Sequence, residues 1–278
     1  MLPEEPIAAA TGRIAVLIPV YNERGRLRDS LESLRSQGVP FTVVLVDDGS
    51  TPPLEVDGDA YDFPIVVLRL ARNSGIEAAL NAGLEYIEAR DFELVARLDV
   101  GDRCAPTRLA AQQDFLEAHP DIALVGSNVE WRRDDGSFAF AMALPSDHAS
   151  IARAMPYTVC LIHPTVMFRT TVVRAIGKYS TSYPAAEDLE FFWRIVRSFR
   201  VANLPDTLLV TRFDPGGISI TRRRRQLRSK LRIQLEYFRG VEPLSYLGVA
   251  KTLALMSVPY SGVVALKGAL SRRKRMSA

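Results

Sequence analysis

Two stretches decide the fold: IAVLIPVYNE (Ile14–Glu23) and FTVVLVDDGST (Phe41–Thr51). Each opens as an unbroken apolar run and closes in polar, turn-forming residues. A strand that is apolar on both faces must be covered on both faces, which points to a parallel sheet in an α/β protein. Between the two stretches, Leu27, Leu31 and Leu34 recur at helical spacing. The alternation continues downstream. Ile65–Leu70, Leu94–Leu98 and Ile122–Gly126 read as further strands. Ile76–Ala89 and Arg108–Ala118 read as helices; the first carries Ala79, Leu80, Gly83, Leu84 and Ile87 on one side. The expectation is an α/β fold with a mostly parallel central sheet and helices on both faces. Residues 127–186 are less regular. There VEWRRDDGSFAF reads as a hairpin turning at Asp135-Gly136. AEDLEFFWRIV (Ala186–Val196) reads as a helix whose opening acids suit the positive end of its dipole.

The chain has 278 residues, 47% hydrophobic and 24% charged, which excludes a disordered chain, a collagen-like repeat and a polytopic membrane protein. Cys104 and Cys160 are too few for a disulfide framework or a Cys-rich zinc site. The start MLPEEPIAAATGR is acidic and lacks a basic segment followed by a long apolar core, so a cytosolic body without a secretory signal is expected. The net charge of +3 conceals a division: residues 1–217 hold 21 basic and 30 acidic residues, whereas residues 218–278 hold 14 and 2.

Ligands of parallel sheets sit beyond the carboxyl ends of the strands, so the polar residues there are the ones to inspect. Asp47 and Asp48 end the second strand; such acids either accept hydrogen bonds from a nucleotide's ribose or base or simply form a D-G turn. Asp99 and Asp102 lie in a Gly-containing turn after the fourth strand, where carboxylates either hold a divalent cation or form a solvated turn. Glu187 and Asp188 open a helix, as caps or as a general base. His163, before a Pro and an apolar run, reads as a structural histidine. PVYNE matches neither GxGxxG nor a Walker loop, which disfavours a dinucleotide dehydrogenase or a P-loop NTPase.

Taken in order, VLIPVYNE (16–23), VLVDDGST (44–51), RNSGIEAALNAGL (72–84), ARLDVGD (96–102), HPTVMFR (163–169), AAEDLEFFWRI (185–195) and LLVTRFDPGGIS (208–219) resemble the motifs of the family 2 glycosyltransferases. The resemblance covers residues 14–219 and implies the GT-A nucleotide-diphospho-sugar transferase fold. It implies that Pro19, Tyr21 and Glu23, with Asp47 or Asp48, line a nucleoside pocket. Asn73, Gly75 and Asn81 would lie near the donor, and Arg97 and Asp99 beside ribose and phosphates. Glu187 and His163 would stand on the acceptor side. Asp99 matches the first acid of the family's Asp-x-Asp metal motif, which implies Mg²⁺ or Mn²⁺. Asp188 matches the base of an inverting transferase.

Two departures stand out. Gly101 replaces the second acid of the metal motif, leaving Asp102 to serve, with weaker metal binding as the consequence. Asp214 stands where the family often has a His in the closing segment, and an oxygen ligand there suits Mg²⁺ or Mn²⁺ and would compensate for Gly101. The implied activity moves a sugar from a nucleotide-sugar donor to a glycan or lipid-linked acceptor in cell-surface polysaccharide assembly. A sugar nucleotidyltransferase is an alternative, although PVYNERGRL is a poor signature loop for one. A catalytically silent nucleotide-sugar-binding module is another, supported by the altered metal motif and opposed by the intact Glu187-Asp188 pair.

Residues 220–278 lie outside the resemblance and form a basic, apolar extension. TRRRRQLRSKLR (Thr221–Arg232) lacks the aromatic interleaving of a nucleic-acid patch, so no nucleic-acid partner is expected. Leu244–Leu270 is mostly apolar, but its longest uncharged run, Thr252–Leu266, has 15 residues against the roughly 20 that a span needs. An apolar segment between RRRR and RRKR suits an interfacial anchor on anionic lipid, which would place the enzyme at the inner face of the cell membrane. The rival is a pair of helices packed on the catalytic body or on a second subunit.

Overall fold

The structure, a computed structural model, describes residues 13–23, 25–133, 135–212 and 222–258. The two opening stretches become strands β1 (Ile14–Val20) and β2 (Phe41–Asp47), joined through helix α1 (Gly25–Glu32). Then follow β3 (Ile65–Arg69), α2 (Ile76–Ala89), β4 (Leu94–Arg97), β5 (Arg103–Cys104), α3 (Arg108–Ala118), β6 (Ile122–Arg132) and β7 (Phe138–Met142). The chain continues through α4 (His148–Ala154), β8 (Met167–Arg169), α5 (Thr170–Ile176), α6 (Glu187–Ser198) and β9 (Arg200–Arg212). The extension supplies α7 (Arg223–Glu236) and α8 (Pro243–Ser257).

Among the described residues the strands form one sheet in the order β3-β2-β1-β4-β8-β6-β9-β5, with β7 paired to β6. The pairs β1–β2, β2–β3 and β1–β4 are parallel, as the double-sided apolar runs require. Beyond β4 the sheet is mixed: β8 runs antiparallel to both β4 and β6, while β6 and β9 are parallel. Successive residues of β1 feed opposite cores. Ala15 and Leu17 pack under α2 with Leu80, Leu84 and Ile87, and under α6 with Phe191. Ile14, Val16 and Ile18 join Leu27 and Leu31 of α1 and Leu109 and Leu116 of α3 on the other face. Gly83 lets α2 settle onto the sheet, since a Cβ there would lie 2.2 Å from Leu17 Cδ1.

The parallel register sets three strand ends side by side, with Val20 beside Asp47 and Leu17 beside Arg97. The extension packs on the body. Ile233 is fully buried in the α2–α6 core. Trp193 of α6 stacks on Tyr237 at 5.2 Å, and Gln234 donates to the Pro156 carbonyl at 2.8 Å. Helix α8 crosses so close that a Cβ on Gly248 would lie 1.9 Å from the Pro156 oxygen. Within residues 222–258 these helices pack on the body, and no described helix is long and apolar enough to cross a membrane.

Candidate active site

The end of β2 and the loop after β3 lock together through Asp48. Its carboxylate accepts from the Ser74 N–H at 2.7 Å and from the Gly75 N–H at 3.0 Å. This contact depends on Gly49. Gly49 has φ +71°, and a Cβ on it would lie 2.3 Å from the Arg72 carbonyl carbon. Burial raises the Asp48 pKa despite the two backbone donors. The strand-one turn is stitched to the same loop: Asn22 N–H donates to Ser50 Oγ, and Thr51 N–H to Asn22 Oδ1, both at 2.9 Å. The neighbouring acid Asp47 points elsewhere. Its carboxylate accepts from the N–H groups of Ser50 and Leu54 and pairs with Arg69 at 3.0 Å. Burial alone would raise its pKa, but these donors outweigh burial and hold it down.

A cavity of about 600 Å³ opens at these strand ends. Pro19, Tyr21, Asp48, Asn73 and Gly75 line one part of it, and Glu187 lines another. Of the residues assigned to the donor in the sequence, Glu23, Asp47, Asn81, Arg97 and Asp99 are outside this lining. Glu23 accepts from the Arg26 N–H at the start of α1. Asn81 clamps the Tyr179 backbone, donating to its carbonyl and accepting from its N–H, each at 2.9 Å.

Arg97 is fully buried. Its guanidinium donates to the Leu17 carbonyl, to Asp99 Oδ1 at 2.7 Å and to His163 Nε2 at 3.3 Å. A guanidinium only donates, so His163 Nε2 must accept there and the ring proton resides on Nδ1. Burial, together with the Arg97 charge, depresses the His163 pKa far below its ordinary value and keeps the ring neutral. The Tyr179 hydroxyl stands 2.8 Å from the same nitrogen. His163 is thus buried in the network that aims Arg97 at Asp99. It does not reach the cavity lining.

Four carboxylates gather around this network. Asp99 keeps a side chain 38% exposed, and Arg97 engages one of its oxygens. Burial and then the Asp99 charge push Asp102 upward, against a hydrogen bond from Thr211. Burial and the adjacent Asp188 push Glu187 upward. Burial raises Asp188 too, with Asp99 adding to the effect, while the Leu189 N–H donates to its Oδ1 at 2.7 Å. Glu187 Oε2 is buried without a hydrogen-bond partner. Among the described residues no three His, Cys, Asp or Glu side chains cluster as a metal-binding set. Asp214 lies outside the described residues.

Sequence reasoning passed over Glu77, Thr181, Arg222 and Arg225, which also line the cavity. Glu77 was within reach of the strand-end rule, two residues after Gly75. The two arginines lie in the basic run of the extension.

In an α/β sheet a cavity at the carboxyl ends of the strands is where a ligand site is expected. The model of glycosyl transferase family 2 matches residues 15–177, and the chain belongs to that family. It is a glycosyltransferase. It is 32% identical over 228 residues to the amylovoran biosynthesis glycosyltransferase AmsE of Erwinia amylovora, covering 80% of this chain and 83% of that protein. An uncharacterized glycosyltransferase of Haemophilus influenzae is 29% identical over 245 residues, covering 84% and 88%. Among solved structures, S. aureus TarS in complex with UDP-GlcNAc has a TM-score of 0.63 at 20% identity, covering 86% and 71% of the two chains. The mannosyltransferase PcManGT from Pyrobaculum calidifontis, in complex with GDP-Man and Mn²⁺, has a TM-score of 0.61 at 18% identity, covering 97% and 83%. These neighbours establish the GT-A fold.

Proposed function

We propose that the enzyme transfers a sugar, with inversion, from a nucleoside-diphosphate sugar to a hydroxyl of a glycan or lipid-linked acceptor in cell-surface polysaccharide assembly. The observation that carries this reading is the single cavity that joins Asp48, Asn73 and Gly75 to Glu187, the residue before Asp188. Its volume suits one such donor. The relative from Erwinia supports the polysaccharide setting by its name.

In this reading Asp188 takes the proton of the acceptor hydroxyl. The hydroxyl oxygen then bonds to the anomeric carbon as that carbon's bond to the diphosphate oxygen breaks, and the nucleoside diphosphate leaves. Arg97 fixes Asp99, and Asn81 and His163 fix Tyr179 behind it. Asp99 presents one carboxylate oxygen that has no hydrogen bond among the described residues. Mg²⁺ is usually held by one or two carboxylates and substrate phosphates rather than by an all-protein cage. Asp99 with Asp102 fits that mode. The cation would neutralise charge on the leaving diphosphate.

The proposed setting is the inner face of the membrane. In support, α8 turns Tyr246, Leu247 and Leu253 outward, each about half exposed, while its inner face carries the small residues Ser245, Gly248 and Thr252. The sequence beyond it ends in SRRKRMSA. Apolar surface beside basic residues suits anionic lipid. Incubation with a panel of nucleotide sugars and acceptors, with the product's anomeric configuration read by NMR, tests the reaction. Transfer with inversion is expected; a retained configuration overturns the mechanism.

A further inference from the structure

Arg222 and Arg225 stand at the start of α7, inside the basic run, yet both line the cavity. Among the described residues neither guanidinium has a hydrogen bond or ion pair, although Glu77 and Glu187 line the same cavity. Stability does not explain them, because cations at a helix N-terminus oppose its dipole. The helix that carries them is nonetheless held. Ser229 of α7 donates to the Pro184 carbonyl at 2.9 Å, and the Arg232 guanidinium lies 4.8 Å over the Tyr183 ring. Both anchors lie on the segment that leads into Glu187, so α7 is held against the cavity wall.

From these observations we infer that Arg222 and Arg225 bind the diphosphate of the donor, so that the C-terminal extension forms part of the substrate site. Unpaired guanidinium groups at a cavity that must accept a polyanion are the donors best shaped for phosphate oxygens. The inference rests on the reading of the cavity as the nucleotide-sugar site.

The test is the affinity of the full chain for UDP, GDP, ADP and dTDP, measured by calorimetry with Mg²⁺ present. Three proteins are compared: wild type, Arg222→Gln/Arg225→Gln, and Arg224→Gln. The last removes a charge from the same turn at a position outside the cavity lining. The double variant is expected to lose tenfold or more in affinity for the nucleoside diphosphate that wild type binds. Its thermal unfolding should be unchanged, and Arg224→Gln should bind as wild type does. Equal affinity in wild type and the double variant overturns the role of the arginines while leaving the cavity assignment standing. So does an equal loss in Arg224→Gln, which reports long-range charge only. If the double variant keeps its diphosphate affinity but shows a raised KM for a phosphate-bearing acceptor, the arginines serve the acceptor and the donor assignment is overturned. Failure of wild type to bind any of the four overturns the cavity reading together with this inference.

Discussion

Glu187 and Asp188 are adjacent in sequence but differently engaged. Asp188 receives the Leu189 N–H, whereas the buried Glu187 Oε2 has no hydrogen-bond partner. Burial and the neighbouring carboxylate push the Glu187 pKa from 4.5 up to about 8. The folded chain then holds a proton that the unfolded chain has already released, so this group makes stability fall as pH rises from about 4.5 to about 8. Glu187→Gln removes that dependence. The variant should unfold at a higher temperature than wild type at pH 8.5, and the gain should shrink toward pH 5; an equal difference at both pH values would contradict the shift. At this scale the sequence was partly legible. The D-D-G run announced a strand-end acid, but strand alternation sends Asp47 to Arg69 and Asp48 to the Ser74 and Gly75 amides, and no short-range pattern says which carboxylate borders the cavity. Arg97, Asn81 and His163 matched motifs; in the structure Arg97 donates to His163, and Asn81 bonds the Tyr179 backbone.

Helix α2 matches the expected boundaries because the spacing of Ala79, Leu80, Gly83, Leu84 and Ile87 is local in the sequence; α3 matches as well, and β1 fills its unbroken apolar run. Strands β5 and β8 escaped because two or three residues carry no period. Their existence follows from pairing with β9, β4 and β6, which are distant in sequence. Helix α8 inverts the usual pattern, with small residues inside and large apolar ones outside. In the proposed membrane setting this face meets anionic lipid. The full-length variant Leu247→Glu/Leu253→Glu should lose flotation with phosphatidylserine or cardiolipin vesicles relative to wild type, with unchanged nucleoside diphosphate affinity. Equal flotation would remove α8 from the membrane contact.

Across the whole molecule, the acidic body and basic extension are less separate than their charges suggest. The charge division remains, but α7 is docked on α6, and two of its arginines reach the cavity. The sequence could not reveal this, since a basic run in an amphipathic helix reads the same whether it faces solvent, lipid or a phosphate. The division of labour between strand-end loops and the acidic start of α6 is the core of the proposed chemistry, and it rests on Asp188. A positioned base contributes typically ~10²–10⁴-fold to a rate. The most direct measurement is therefore the transfer rate of Asp188→Asn at saturating donor, alongside its donor affinity. A base at this position gives a loss of about 10² or more with donor affinity unchanged. Turnover close to wild type would contradict it.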